Sequence, residues 1–219
     1  GADFAVGCGY KYLNGGPGAP AFVWVHPRHV GQFWQPLAGW MGHAAPFEFK
    51  PGYRPAAGIG RYFCGTPAVL SLAALECGVD TLLAAEPIAR ASGHAGAMAA
   101  LRAKSLALSG LFAERVGACC PSLALASPLD DAKRGSQVCF SHPTHGYAIM
   151  QALIARGVIG DFRGGDPSHP RDAADILRFG FTPLYLRFVD AWDAAERVRQ
   201  VLDNEEWRRP EFNQRHAVT

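Results

Sequence analysis

The spacing of apolar residues in the first part of the chain predicts two short strands followed by a helix. Residues 4–6 and 21–25 are apolar runs on either side of a glycine-rich turn, and the first reads as the end of a buried strand. Thr66 followed by Pro67 predicts a helix start, because threonine caps free backbone N–H groups and proline is tolerated at the first helical position. The apolar residues that follow extend this helix to Gly78, where we expect it to end.

The second part of the chain alternates between helical and strand patterns. A break at Ser92-Gly93 precedes a long helix with a broad apolar face, from about residue 95 to residue 116. Further strands are predicted at 123–126, 137–140, 158–162 and 177–181, and further helices at 147–155 and 190–202. The polar segment Gly164 to Asp175 predicts a surface insertion. Strands mixed with helices indicate an α/β or α+β lobe.

Composition and charge narrow the class of protein. The chain has 219 residues, of which 49% are hydrophobic and 18% charged, so it can build a real core. The formal net charge is +2 with the charges scattered, which favours neither a nucleic-acid groove nor a basic membrane patch. No apolar run approaches the length of a membrane span. Because the chain starts without methionine and enters a strand at once, we expect it to be the C-terminal part of a longer polypeptide.

The cysteines and histidines indicate no disulfide framework and no metal site. The six cysteines have no framework spacing, so we interpret them as reduced thiols in a cytoplasmic protein. His26 with His29, and His142 with His145, have a spacing that metal ligands can have, but no cysteine or carboxylate accompanies them at ligand spacing. Ordinary loop histidines are the favoured interpretation.

Lys11 is the first candidate for chemistry. It stands between two tyrosines and directly before the tight turn at 14–18. A lysine sequestered there would have a lowered pKa and a nucleophilic amine, as a Schiff base with pyridoxal phosphate (PLP) requires. From the residues alone, the commoner alternative is a strand-end lysine that extends into water beside a hairpin loop.

Three further segments contain donors suited to a phosphate. Tyr10 offers a phenol beside Lys11, Trp40 offers an indole N–H between two glycines, and Thr66 offers a hydroxyl at a predicted helix start. Trp40 and Thr66 lie in or beside residues 31–65, a long stretch rich in glycine, proline and aromatic residues that is typical of a functional loop. The alternatives are packing for Trp40 and for Tyr12, and an ordinary helix cap for Thr66.

Arg178 is unusual because it lies inside an apolar strand. A guanidinium there needs a partner, and its fork matches a carboxylate in two parallel hydrogen bonds. The partner is either an internal Asp or Glu or the carboxylate of an amino-acid substrate.

Six motifs occur in an order that resembles one enzyme family. They are CGYKYLNGGPG at 8–18, GW-x-GH at 39–43, RYFCGTP at 61–67, KRGSQVCF at 133–140, RGVIGDFR at 156–163 and RFGFTPLY at 178–185. Together they resemble the C-terminal half of bacterial kynureninases, from about Asp3 to the end of the chain. The resemblance implies an α/β protein of the PLP-dependent transferase-like fold type I, that of aspartate aminotransferase. It also implies that residues 1–92 are the C-terminal part of the large PLP-binding domain and residues 93–219 the small C-terminal domain.

The resemblance implies an activity and roles for single residues. The activity is the hydrolysis of L-kynurenine, with 3-hydroxykynurenine as a second candidate substrate, to anthranilate and L-alanine in tryptophan catabolism and NAD biosynthesis. Lys11 would form the Schiff base with PLP and move the α-proton, and Tyr10 would bind the phosphate and relay a proton. Trp40 would contact the same phosphate, and Thr66 the phosphate in a neighbouring subunit. Arg178 would bind the substrate α-carboxylate, and His43 would line the substrate pocket.

The same resemblance implies that part of the site is supplied from elsewhere. In the family, the partner of the pyridine nitrogen, the ring-stacking aromatic residue and most of the phosphate loop lie upstream of the lysine. We therefore expect a homodimer, or a complex with a chain that carries the N-terminal half, and little activity from this chain alone. The alternatives are another PLP enzyme of the same fold, such as a desulfurase or an aminotransferase, and a non-catalytic dimerisation or binding remnant.

Overall fold

The computed structural model describes residues 1–33, 35–169 and 173–215. The chain divides into two compact units, Gly1–Ala97 and Met98–Thr219. The boundary that the sequence predicts, between residues 92 and 93, stays a prediction for the assembled protein. Within the described ranges, no helix combines the length and the apolar character needed to cross a membrane.

The first unit contains a hairpin and one long helix. Strands β1 (Phe4–Cys8) and β2 (Ala21–Val25) pair antiparallel, and helix α1 runs over Val69–Ala91. Both strands and the helix were predicted. The loop between β2 and α1 is irregular as predicted, with short 3-10 helices at Trp40–Gly42, Pro46–Glu48 and Gly58–Tyr62.

Both predicted ends of α1 are wrong. The residue that caps the helix start is Ala68, without a side-chain hydrogen bond, so Thr66 is not the cap. The helix continues through Gly78 to Ala91. A glycine inside a helix costs about 1 kcal/mol relative to alanine, but here its missing side chain makes room, because a Cβ at position 78 would lie 2.4 Å from the carbonyl oxygen of Leu13.

The prediction that residues 4–6 are the end of a buried strand is also wrong for this chain. Residues 4–6 and 21–24 are exposed, and Val6 is 83% exposed. The physical reason is that a two-stranded hairpin cannot cover both of its own faces and needs a further layer or further strands to bury them.

The second unit is a four-stranded antiparallel sheet with three helices. The strand order is β3-β4-β6-β5, formed by Ala124–Leu125, Gln137–His142, Asp175–Gly180 and Asp161–Arg163. The helices are α2 (Ala97–Cys119), α3 (Gly146–Ala155) and α4 (Phe188–Asp203). Each of these elements was predicted, with ends shifted by up to three residues.

Alternation along β4 and β6 gives the sheet one apolar and one polar face. Val138, Phe140, Leu177 and Phe179 are buried and belong to the main core, together with residues of all three helices such as Phe112. Their neighbours along the same strands point to the opposite face, because successive side chains in a strand alternate. That opposite face carries Arg178.

The predicted insertion at Gly164 to Asp175 is partly described, because residues 170–172 lie outside the described ranges. Its last residue, Asp175, begins β6, and its carboxylate accepts hydrogen bonds from the backbone N–H groups of Gly146 and Gly165, at 2.9 and 3.0 Å. Asp175 therefore joins the start of α3 to the segment that leads into the strand of Arg178.

Candidate active site

Lys11 lies in a closed turn between β1 and β2. The N–H of Gly9 donates to the carbonyl of Pro20 at 3.0 Å, and the N–H of Gly15 donates to the carbonyl of Gly9 at 3.0 Å. Within this loop, the N–H of Asn14 donates to the carbonyl of Lys11 at 2.9 Å. These three bonds fix the backbone on both sides of the lysine.

Helix α1 holds this lysine loop, residues 9–20, from one side. The backbone of Leu13 and Asn14 lies directly against Gly78. Asn14 has a left-handed conformation with a φ of 58°, which asparagine tolerates better than most residues. Its Nδ2 donates to the Thr81 hydroxyl at 3.0 Å, and that hydroxyl donates to the carbonyl of Gly78 at 2.6 Å.

The side chain of Lys11 is exposed, so the expectation of a buried amine is wrong for this chain. Its Nζ lies 5.1 Å from the centroid of the Tyr10 ring, within the range of a cation–π contact. Tyr10 and Tyr12 are themselves 45% and 56% exposed. The loop is the tip of the hairpin, whose strand residues 4–6 and 21–24 are exposed. This exposure explains why the sequence pattern alone overestimated the burial of Lys11.

Trp40 and His43 line one cavity of about 400 Å³ within the first unit. The Trp40 ring packs edge-on against Phe47, with centroids 5.7 Å apart. The Nδ1 of His43 accepts a hydrogen bond from the Ala45 N–H at 2.9 Å, so the neutral imidazole carries its proton on Nε2. The cavity therefore brings two predicted site residues together, and each ring has an N–H group, Nε1–H of Trp40 and Nε2–H of His43.

The sequence interpretation missed the other side chains that form this cavity. Its wall includes Phe49, Lys50 and Tyr53. The Tyr53 ring lies 5.7 Å from that of His43, and its hydroxyl donates to the carbonyl of Gly42 at 3.1 Å. The available signal was the run of aromatic residues in the irregular loop, which predicted a functional segment without indicating which residues meet.

Two glycines let the segment of Trp40 pack against the segment that leads to Thr66. A Cβ at Gly39 would lie 1.8 Å from the carbonyl oxygen of Cys64, and one at Gly42 would lie 2.4 Å from that of Phe63. Only glycine permits so close an approach of two backbones. Thr66 follows two residues after Cys64 and is exposed.

Arg178 lies in the second unit, on the polar face of the sheet. Its Nη1 forms an ion pair with Oδ2 of Asp161 at 3.1 Å, and its side chain is 29% exposed. The Gln137 amide faces the same guanidinium, and in the amide orientation that satisfies both its oxygen and its nitrogen, the oxygen accepts from Nε at 3.2 Å and from Nη2 at 3.1 Å. Of the two partners considered for this arginine, the internal carboxylate is thus present in the chain.

The paired histidines and the cysteines are not among the residues that line the cavity of Trp40 and His43. Among the described residues, no group of three or more His, Cys, Asp or Glu side chains is placed to hold a metal ion. His145 stacks on Trp207 with ring centroids 4.4 Å apart, and burial together with the nearby His145 lowers the pKa of His142. All six cysteines are free thiols, as predicted.

Sequence comparison shows that this chain is similar to kynureninases. Residues 101–198 match the family model described as the kynureninase C-terminal domain. Over 100% of its length, the chain is 53% identical to a kynureninase from Burkholderia mallei (strain SAVP1) and 49% identical to one from Pseudomonas fluorescens. The chain is a homologue of the C-terminal part of kynureninases. It covers 48% of each of these two relatives, about half their length.

Solved structures confirm the fold class. A cysteine desulfurase from Thermococcus onnurineus NA1 superposes with a TM-score of 0.69 at 16% identity, covering 93% of this chain and 48% of that one. An aspartate aminotransferase from Thermus thermophilus superposes with a TM-score of 0.57 at 20% identity, covering 93% of this chain and 50% of that one. The α/β fold predicted from the kynureninase motifs, fold type I, is therefore confirmed.

Proposed function

We propose that this chain is the C-terminal portion of a PLP-dependent kynureninase, which hydrolyses L-kynurenine to anthranilate and L-alanine. The observation that carries the proposal is the identity of 53% to a kynureninase over the whole chain. We propose the cytoplasm as its compartment and tryptophan catabolism, leading to NAD biosynthesis, as its pathway. We propose 3-hydroxykynurenine as a second candidate substrate, which the same assay tests.

The residues of the first unit fit PLP by their chemistry and by the rigidity of their supports. Lys11 supplies the primary amine that the cofactor aldehyde requires, on a loop fixed by three backbone hydrogen bonds. Tyr10, Trp40 and Thr66 supply hydroxyl and N–H donors, the groups that bind a phosphate. When bound, PLP supplies an electron sink for bond cleavage at the amino acid.

The chain's own residues have separate tasks in this proposal. The amine of Lys11 holds the cofactor and moves the substrate α-proton, and the phenol of Tyr10, next to that amine, donates to the phosphate and relays a proton. In the second unit, Arg178 binds the α-carboxylate of the substrate. In the first unit, His43, which shares a cavity with Trp40, is the proposed residue of the substrate pocket. Thr66 reaches the phosphate held by the other subunit of a homodimer.

The exposure of Lys11 supports a cofactor site that is completed by residues from another polypeptide. The amine of this chain is exposed, and so are the hairpin faces beside it. Other polypeptide, either the half of the kynureninase that this chain does not match or a second copy, would cover these surfaces and lower the local dielectric around the amine. We therefore propose that the chain acts as a homodimer or with a separate N-terminal half, and that alone it binds PLP weakly.

Fold likeness alone supports the alternative of a desulfurase or an aminotransferase, since the solved structures of those enzymes share 16% and 20% of their residues with this chain. The third alternative is that the chain is a non-catalytic dimerisation or binding remnant. Because one fold supports many reactions, an assay has to separate the three.

The test measures anthranilate formation by the chain with PLP, alone and co-expressed with the N-terminal half of the Burkholderia mallei kynureninase. We expect little product from the chain alone and clear turnover of kynurenine by the complex, abolished by Lys11→Arg, which keeps the positive charge. Faster reaction with cysteine than with kynurenine or 3-hydroxykynurenine would favour a desulfurase. No reaction with any of them would leave the binding remnant, and near-normal activity of the isolated chain would overturn the proposed incompleteness.

A further inference from the structure

Arg178 occupies the centre of a polar patch on the open face of the sheet. In the strand register it lies directly opposite Asp161 on one side and opposite Cys139 on the other. Alternation puts Gln137 and Arg163 on this same face, two residues from Cys139 and Asp161 respectively. The patch is formed within the second unit by three adjacent strands, β4, β6 and β5.

The guanidinium of Arg178 is held from both of its sides. Asp161 forms an ion pair with Nη1, and the Gln137 oxygen accepts from Nε and Nη2 in the amide orientation that satisfies both ends of that amide. A guanidinium has five N–H donors, and the Gln137 amide engages two of them, on Nε and Nη2. One donor on Nη2 and two on Nη1, the atom that is ion-paired with Asp161, remain, and a bidentate contact with a carboxylate requires one donor from each of these nitrogens.

Asp161 is itself fixed, so it provides a rigid support. Its Oδ1 accepts from the backbone N–H of Phe162 and from Nη1 of Arg163, both at 2.7 Å. Two guanidinium charges against one carboxylate leave one formal positive charge on the patch. An approaching carboxylate is therefore still attracted, although an acidic side chain already contacts Arg178.

We propose that Asp161 and Gln137 are positioning residues that orient Arg178 toward the α-carboxylate of an amino-acid substrate. This inference rests on the proposed function, in which Arg178 makes that contact. A free arginine side chain has many rotamers, and ordering them at the moment of binding costs affinity. Because Asp161 and Gln137 lie on the strands next to Arg178, they order its side chain before the substrate binds and so reduce this loss of affinity. They do not contact the atoms of the substrate that react.

The first test is kinetic and uses the assembled enzyme, this chain together with its N-terminal half. Gln137→Leu and Asp161→Asn are each expected to raise KM for kynurenine by about 5- to 20-fold with kcat changed less than about 2-fold, because carboxylate binding is the same in the ground and transition states. The matched control is Asp190→Asn, which breaks the ion pair of Asp190 with Arg187 on α4 of the same unit. It should leave KM unchanged.

A double-mutant cycle separates positioning from a general loss of structure. If Asp161 and Gln137 act through Arg178, their substitution in an Arg178→Ala enzyme should have little further effect on KM. The proposal would be overturned if substitution of Asp161 or Gln137 raised KM in the Arg178→Ala enzyme by the same factor as in the parent enzyme. An effect on kcat instead of KM would also overturn it.

A second readout does not depend on turnover. The Nε–H of Arg178, assigned by its loss in Arg178→Lys, should give an NMR signal that exchanges slowly with water in the assembled protein, and Gln137→Leu should speed that exchange at least about 10-fold. Exchange as fast as that of Arg90, whose side chain is 65% exposed, would overturn the positioning by Gln137. If the assembled protein does not turn over kynurenine but the Nε–H of Arg178 still exchanges slowly, the result counts against the proposed function and not against the positioning of Arg178.

Discussion

The α-carbon of Gly78, in the middle of α1, packs against the carbonyl oxygen of Leu13 in the lysine loop. A Cβ at position 78 would lie 2.4 Å from that oxygen, a contact that real Cβ atoms do not make. The blocking atom belongs to the backbone, so no side-chain rotation can relieve it. The long helix thus supports the lysine loop, and it can do so because position 78 is a glycine, although helix propensity alone would favour another residue there.

Gly78→Ala is therefore expected to destabilise the chain by about 1–3 kcal/mol, the usual range for an overpacked contact. The measurement is the free energy of unfolding in urea. The control is Gly110→Ala in α2, because a Cβ there meets no other heavy atom within 4 Å. That variant should be neutral or stabilised by up to about 1 kcal/mol. Equal effects at the two positions would contradict the close contact with Leu13.

Asn14 is expected to stabilise the lysine loop through both its backbone and its side chain. Its φ of 58° and its bond to the Thr81 hydroxyl predict that Asn14→Ala costs about 1–2 kcal/mol. Asn14→Gly keeps the left-handed backbone accessible and should lose less. Thermal unfolding of the two variants gives the comparison, and a greater loss for glycine than for alanine would argue against a role of the backbone conformation.

Trp40 is expected to contribute its indole N–H to cofactor binding. Trp40→Phe keeps an aromatic ring against Phe47 and removes the N–H, so the assembled enzyme should bind PLP about 5- to 20-fold more weakly, as the loss of one hydrogen bond to a charged group implies. Titration of the visible cofactor absorbance measures this. Trp24→Phe, on the exposed hairpin strand β2, is the matched control and should bind PLP like the parent.

Glu206 is expected to make the stability of the second unit depend on pH. Arg156 donates to both of its carboxylate oxygens, at 2.9 and 2.5 Å, and thereby lowers the pKa of this nearly buried carboxyl. A lowered folded-state pKa adds stability that is present above the unfolded-state value and is lost as the pH falls through the folded-state value. Glu206→Gln should therefore cost about 2 kcal/mol at pH 7 and progressively less below about pH 4.

The control for that pH effect is Glu205→Gln, which removes the exposed ion pair with Arg208. Exposed pairs contribute less than about 1 kcal/mol, so its effect should be small at every pH. A difference between parent and Glu206→Gln that is independent of pH would show that the carboxylate charge does not matter.

Local pattern predicted most of the second unit correctly. The strands at 137–140 and 177–181 were predicted, and the structure shows that each packs one face, with Val138, Phe140 and Leu177, on the main core of the described residues. The ion pair of Arg178 with Asp161 was not predictable in the same way. It depends on the register of two strands, and in the sequence the apolar run around Arg178 indicated only that some partner exists.

The first unit was predicted less well for a physical reason. Residues 4–6 and Lys11 were expected to be buried but are exposed in the described part of the chain, so a pattern typical of a buried strand occurs on an exposed hairpin. The course of α1 through Gly78 and the cavity with Tyr53 both depend on close contacts between segments distant in sequence. Propensity and motif spacing carry no information about such contacts.

The most direct test of the account is to identify the lysine that binds the cofactor. The assembled enzyme is incubated with PLP, reduced with borohydride and digested, and the modified peptide is identified by mass spectrometry. The chain offers four lysines, Lys11, Lys50, Lys104 and Lys133. We predict that the label is confined to Lys11 and that Lys11→Ala abolishes the visible absorbance. Labelling spread over the four lysines, or a band that persists in Lys11→Ala, would contradict the central claim.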